Sequence, residues 1–568
     1  MKTVTRKKRN YLPENLVVHG WQNIESFYQE LQQRPIESKE AVLQWLADRS
    51  ETDAVVDEEY RWRYIRQTCD TDNETFKDAY EDFIQTIMPN WMSIGNELNK
   101  KLATSAFVKD LDQERFFVYL RHLQAQLQLF REENIPLSQQ VQLLSQEYGA
   151  TIGAMTIEHE GKEFTLPQAG VFLQQQDRNL RKSIFEKVNN RRIQDKEKLN
   201  NLFDELLKIR HQMALNAGFT NYRDFMFAEL GRFDYDVHAC EQFHKAIKSE
   251  VIPLVNEIYA KRKQALQVEQ LFPYDLEVDV ANLPALQPFS TQDELIEKSV
   301  KCLTQVDDYF AECIAIMDNM HYLDLNSRKG KAPGGYNMSL PEIGVPFIFM
   351  NAAGTHRDLE TMVHEAGHAV HSFLMRTLPY NFDQEISSEM AELASMSMEL
   401  MTFDGLSAFY NDADKKRAIE THIEGIITML PWIALIDKFQ HWIYTNPNHT
   451  STERENKWLE LHKELSADIV DWNLYEDFRK ILWHKQLHIF EVPFYYIEYG
   501  IAQLGALQIW LNSKKDQAKA VADYRHGLSL GGSRPLPELF SAAGLKFDFS
   551  ADTIGPLVKA AQTELGLS

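Results

Sequence analysis

The chain has 568 residues, of which 44% are apolar and 25% charged, with a formal net charge of −23. That is the composition of a soluble globular protein long enough to bury a large core in two or more structural units. The acidic balance argues against nucleic acid and anionic membrane as partners, since both need a basic face.

Residues Met1 to Asn10 are basic, with Lys2, Arg6, Lys7, Lys8 and Arg9, but no apolar signal core follows. No run of about 18 apolar residues suggests a membrane span. The four cysteines, Cys69, Cys240, Cys302 and Cys313, are widely spaced and form no CxxC pair. Neither a disulfide framework nor a thiolate metal site is expected from that spacing, and reduced, buried thiols in a cytoplasmic protein are.

From Trp21 to about Gln146 the pattern is helical and amphipathic, as in Ala41 to Ala47, Glu74 to Met88 and Arg115 to Phe130. Ala150 to Leu166 changes character. Ile152, Met155, Ile157 and Phe164, with Glu160-Gly161 between two short runs, predict a small β-hairpin. Helix returns from Arg178 to Asn216, where Arg181, Lys182, Lys187, Arg191 and Arg192 read as a solvated face. A boundary between the hairpin and this helix divides the chain into residues 1–180 and 181–568.

Leu271 to Thr291 is rich in Pro and Asp and reads as a long surface connection, with helix resuming from Gln292 to Met317. Arg328 to Gly344 is glycine-rich, suiting a backbone that lies close against something else. The run Val345 to Asn351 predicts a short buried strand. Its edge, with the glycine loop before it, is expected to hold an extended peptide by main-chain pairing.

The strongest chemical signal follows, T-M-V-H-E-A-G-H-A-V-H-S-F from Thr361 to Phe373. His364 and His368 are four apart, so on a helix they share one face and can grip one metal ion. Glu365 stands where a carboxylate can take a proton from an attacking water. Thr355 with Asp358 reads as a capping pair, and Pro379 as a stop. Gly367 costs about 1 kcal/mol inside a helix, so close approach of another backbone is the reason to keep it.

Two histidines leave a catalytic zinc site short of its usual three protein ligands. Glu385 to Leu400 is apolar or small nearly all round, except for a stripe of Glu385, Glu389, Glu392 and Glu399. A helix so patterned is buried with its carboxylates toward a site. Glu392 is the expected third ligand, with Glu389 and Glu399 as candidates to orient the imidazoles. His371 lies too far along the face to ligate the same ion.

Near the C-terminus, H-I-F-E-V-P-F-Y-Y-I-E-Y-G from His488 to Gly500 offers hydrogen-bond donors for an oxyanion in His488, Tyr496 and Tyr499. Read alone, such aromatics also suit a core.

P-F-I-F-M-N, the T-M-V-H-E-A-G-H-A-V-H segment, S-E-M-A-E-L-A-S-M-S-M-E and the stretch from His488 to Ala506 together resemble the oligoendopeptidase F branch of the thimet oligopeptidase family of zinc metallopeptidases. The resemblance covers nearly the whole chain. It implies one zinc ion per chain on His364, His368 and Glu392, with Glu365 as general base. Transition-state donors map onto His488, Tyr496 and Tyr499, with Tyr495 as an alternative. It also implies a mainly α fold in which two helical halves enclose a deep catalytic channel, with a small β-hairpin and a short β-sheet near the site. On this reading residues 1–180 cover the channel, and short peptides are cleaved in the cytoplasm. A zinc exopeptidase and a non-catalytic helical protein with a structural zinc are the competing readings.

Overall fold

The first long helix starts where the sequence supplies a cap. In a computed structural model describing residues 2–567, the Ser38 side chain accepts from the Ala41 amide and opens α1 (Lys39–Cys69). Its buried face places Val42, Trp45 and Leu46 in one core with Tyr28, Phe83, Leu98 and Phe116. The helix at Glu74 runs to Asp82 and continues through a wider turn over Phe83–Ile87, and another spans Phe117–Leu129.

The hairpin forms as β1 (Thr156–His159) and β2 (Lys162–Thr165), paired antiparallel. Glu160 and Gly161 both have positive φ, at 51° and 73°, as a two-residue turn matched to strand twist requires. Ile152 belongs instead to the preceding helix, Asn134–Gly153.

Next, α2 (Arg178–Gln194) departs from the solvated face read from its charges. Arg181 is buried and donates to Asp275 at 2.9 Å and to the Tyr274 carbonyl at 3.1 Å. It also donates to the nearby Gln175 and Gln176 carbonyls, but Tyr274 and Asp275 lie more than 90 residues on, so no local pattern could reveal them. They also pin the start of the Leu271–Thr291 connection, whose Leu271, Tyr274 and Asp275 are buried. A short helix, α3 (Val237–Ala246), precedes this connection.

The second sheet comprises β3 (Leu323–Asn326), β4 (Tyr336–Met338) and β5 (Phe347–Ala352), in the order β3-β5-β4. The β5 strand is parallel to β3 and antiparallel to β4. Both of its edges are therefore taken, and the peptide-holding edge expected of it cannot be its own. The outer positions belong to β3 and to β4, the latter within the glycine-rich segment. Lys331 ties that segment down, donating to Asp324 and to the Asn326 carbonyl, both at 2.9 Å.

Three longer helices and the helix between them complete the frame: α4 (His356–Met375), α5 (Ser388–Met401), α6 (Asp412–Thr445) and α7 (Tyr496–Lys515). By length and composition α6 is apolar enough to cross a bilayer, but half of that window is buried within the protein. With Asp437 and Gln440 among its fully buried residues, it is a core helix.

The chain forms two compact units. One contains Met1–Leu127, Ala285–Ile419 and Gly505–Phe547, and the other Gln128–Pro284, Glu420–Leu504 and Asp548–Ser568. Each is assembled from three chain segments, so neither coincides with the contiguous stretches 1–180 and 181–568.

Candidate active site

The first group of residues lies where α4 meets α5. Thr355 and Asp358 form a reciprocal capping box that starts α4, and the helix ends at Met375, four residues before Pro379. A Cβ on Gly367 would stand 2.5 Å from Ser395 Cα and 2.6 Å from the Ala394 carbonyl oxygen. The missing side chain lets the two helix backbones touch. On the far side, Tyr524 donates to that same carbonyl at 2.8 Å.

This contact brings His364, His368 and Glu392 together, with one donor atom from each within 4.8 Å of the others. His364 Nε2 is 3.4 Å from Glu392 Oε2, and its Nδ1 is 2.6 Å from Glu399 Oε1. Of the two candidates for orienting an imidazole, Glu399 thus lies on His364. Ser395, one turn beyond Glu392, donates to its Oε2 at 3.2 Å. Glu385 lies before α5, outside the helix whose stripe it was expected to join.

The electrostatics favour a cation. Burial opposes charge on His364, yet the hydrogen bonds its ring donates to the Glu392 and Glu399 carboxylates raise its pKa to about 10. Burial and then the charge at His364 push His368 down to about 4. Burial likewise raises Glu365 to about 7, and its Oε2 has no hydrogen-bond partner among the described residues. Two imidazoles and a carboxylate are a donor set that catalytic zinc takes, and a buried carboxylate beside them suits a base. These residues fit the metal. His371 is buried and neutral, its pKa pushed down to about 3 by burial. Asn337 of β4 donates to the Glu365 carbonyl at 3.1 Å, linking the outer strand to α4. The sequence reading missed Asn337 because nothing in its own segment marks it.

The second group lies in the other unit. His488 packs its ring 4.7 Å from Tyr496 and 6.0 Å from both Tyr495 and Tyr499, centroid to centroid. Tyr496 and Tyr499 share a face of α7, with ring centroids 5.6 Å apart. Gln486, unmarked in the sequence, settles what the histidine can do. Trp432 Nε1 donates to Gln486 Oε1 at 2.9 Å, which turns the amide nitrogen toward His488 Nδ1 at 2.6 Å. Nδ1 must then accept, so the proton sits on Nε2. Burial pushes the ring's pKa down to about 4, so His488 is a neutral donor. Phe494, just before the tyrosines, holds a positive φ of 67°. Its amide donates to Gln440 at 2.8 Å and its carbonyl accepts from Arg232.

Comparison with known proteins decides the family. The pattern of peptidase family M3 matches residues 171–555, and that of the peptidase M3 N-terminal domain matches residues 16–130. The chain belongs to peptidase family M3. Among relatives, it is 24% identical over 375 residues to an oligoendopeptidase F homolog of Borreliella burgdorferi, covering 65% of this chain and 62% of that one. Oligopeptidase PepF of Bacillus subtilis is 24% identical over 374 residues, covering 62% of this chain and 54% of its own. The chain thus spans between about half and two thirds of the length of these curated relatives. Among solved structures, PZ peptidase A with an inhibitor is similar with a TM-score of 0.84 at 27% identity, covering 96% of each chain. A candidate oligoendopeptidase F from Bacillus anthracis gives 0.80 at 25% identity, again covering 96% of each. The mainly helical fold with two small sheets agrees with these neighbours.

Proposed function

We propose that the protein is a zinc-dependent oligoendopeptidase that hydrolyses internal bonds of short, unfolded peptides in the cytoplasm. The observation that carries this reading is the convergence of His364, His368 and Glu392 beside a buried, unpartnered Glu365 in a family M3 chain. His364, His368 and Glu392 hold the metal, and Glu399 orients His364. When bound, zinc supplies a Lewis acid that polarises a carbonyl and lowers the pKa of water toward about 7.

The chain's own groups do the rest. Glu365 takes the proton of the attacking water and returns it to the leaving amine. His488, a neutral Nε2–H donor, and the hydroxyls of Tyr496 and Tyr499 stabilise the developing oxyanion, with Tyr495 as the alternative first tyrosine. The outer strand β4 and the glycine-rich segment around it hold the substrate backbone by main-chain pairing. Residues 1–180 cover the site and residues 181–568 carry it.

A structural zinc is disfavoured because such sites are closed by four protein ligands and have no use for Glu365. Mass-spectrometric product analysis of a peptide library, with and without a chelator, tests the proposal. Internal cleavage of end-blocked peptides that stops on chelation is expected. Release of terminal residues only, from peptides with free ends, would make the protein an exopeptidase.

A further inference from the structure

A second cluster of metal-binding side chains lies in the other unit, built from two pairs at the same helical spacing. Cys240 and His244 are four apart on α3, and Asp437 and His441 are four apart on α6. Sites assembled from such pairs on facing helices are a recurrent way for helical proteins to hold metals. Cysteine spacing alone conceals this one, because its partners lie almost 200 residues away.

Cys240 Sγ, an Asp437 carboxylate oxygen and a His441 ring nitrogen all lie within 4.8 Å of one another. Cys240 and Asp437 are fully buried, and the His441 side chain is 11% exposed. The hydrogen bonding is lopsided. His244 Nε2 meets Asp437 Oδ2 at 2.7 Å, and His441 Nε2 approaches that same oxygen at 3.2 Å. Among the described residues, Asp437 Oδ1 has no hydrogen-bond partner, and neither ring nitrogen of His441 makes an aligned hydrogen bond. Leaving a buried polar group unmatched is costly, more so when it is charged, and two together at one place leave donor atoms open to a bound species.

We infer that Cys240, Asp437 and His441 bind a second divalent cation of the zinc class, with His244 acting as a positioning residue for Asp437. Sulfur, oxygen and imidazole nitrogen form a mixed donor set of the kind zinc accepts. His244 engages Oδ2 and leaves Oδ1 for the metal, as hydrogen-bonded carboxylate ligands commonly do. Charge balances as well. Binding releases the Cys240 thiol proton to solvent, and the thiolate and carboxylate then cancel the cation's double charge. Without a metal, burial and then the Asp437 charge hold the Cys240 thiol well above its ordinary range, the Arg232 charge opposing them, and Arg232 is itself paired with Glu498 at 2.7 Å. The ion would clamp α3 to α6.

Metal analysis of the reconstituted full-length chain tests this. Wild type dialysed against Zn²⁺ should retain two equivalents, and the His364→Ala/His368→Ala double variant one. Loading that double variant with Co²⁺ should give a thiolate-to-cobalt absorption band, which the site at α4 and α5 cannot give because it has no cysteine, and which Cys240 rather than Cys69, Cys302 or Cys313 should supply. Cys240→Ser should abolish the band, and His441→Ala should remove or shift it if the serine variant fails to fold. A wild type with one equivalent and the thiolate band would uphold this site while sinking the other. One equivalent and no thiolate band would overturn the inference, leaving a hydrogen-bonded cluster only.

Discussion

At the scale of single residues, Glu365 and Gln486 act through atoms that a substitution can change without altering volume much. In Glu365→Gln the proposed base is lost while His364, His368 and Glu392 keep their donors. Turnover should fall by at least about 10²–10⁴-fold with metal content unchanged. Metal analysis alongside one quenched peptide decides it, and near-normal turnover with bound zinc would remove Glu365 from the mechanism. Tyr496→Phe and Tyr499→Phe each remove a hydroxyl and little else. A loss of about 10²-fold in kcat is expected where that hydroxyl meets the oxyanion. Wild-type kcat in both, with lowered thermal stability, would return the pair to packing. Gln486 acts one step back, by fixing which nitrogen of His488 carries the proton. Gln486→Leu removes its hydrogen bonds with Trp432 and with His488, and the one to His488, worth about 1 kcal/mol, should lower kcat by about fivefold with metal content intact. An unchanged kcat would show that the tautomer is held by something else.

At the scale of elements, the contact between α4 and α5 turns on Gly367. Alanine there favours the helix by about 1 kcal/mol. Against that, its methyl would meet backbone atoms of Ala394 and Ser395 at 2.5–2.6 Å, and backbone cannot swing aside as a flexible side chain can. Overpacking of this kind costs about 1–3 kcal/mol, so the steric term wins. Gly367→Ala should lower the melting temperature and weaken zinc retention, since moving α5 moves Glu392. A melting temperature equal to or above wild type would show that the helices can separate freely. This was legible in the sequence because its signals are local: the four-residue histidine spacing, the Thr355–Asp358 cap, and a glycine where a helix former belongs. The order β3-β5-β4 was not legible. The β5 run announces a buried strand, but nothing in it says that Leu323–Asn326 and Tyr336–Met338 take both its edges. Arg181 misled for the same reason. A charge on a helix reads as solvated until a carboxylate such as Asp275, 94 residues away, is known to meet it.

At the scale of the whole molecule, residues 1–180 contribute no chemistry of their own to the proposed reaction. The peptidase M3 N-terminal pattern covers 16–130 of them, so this part belongs to the family's architecture and is no incidental extension. On the proposed function these residues cover the site. A covered site admits extended chains only, and a folded protein would have to open a long segment, at several kcal/mol, before a bond could reach Glu365. The formal charge of −23 gives no general attraction for acidic substrates either, so length and disorder should dominate selection. The expected outcome is cleavage of short peptides that declines as one sequence is lengthened, and no cleavage of native proteins. A length series read by mass spectrometry, alongside unstructured casein, measures this directly. Casein separates the two requirements, because it is already unfolded but far too long to be enclosed. Rapid cutting of casein at many internal sites would mean an open groove, and the covering role of residues 1–180 would be wrong even if every residue assigned to the chemistry were right.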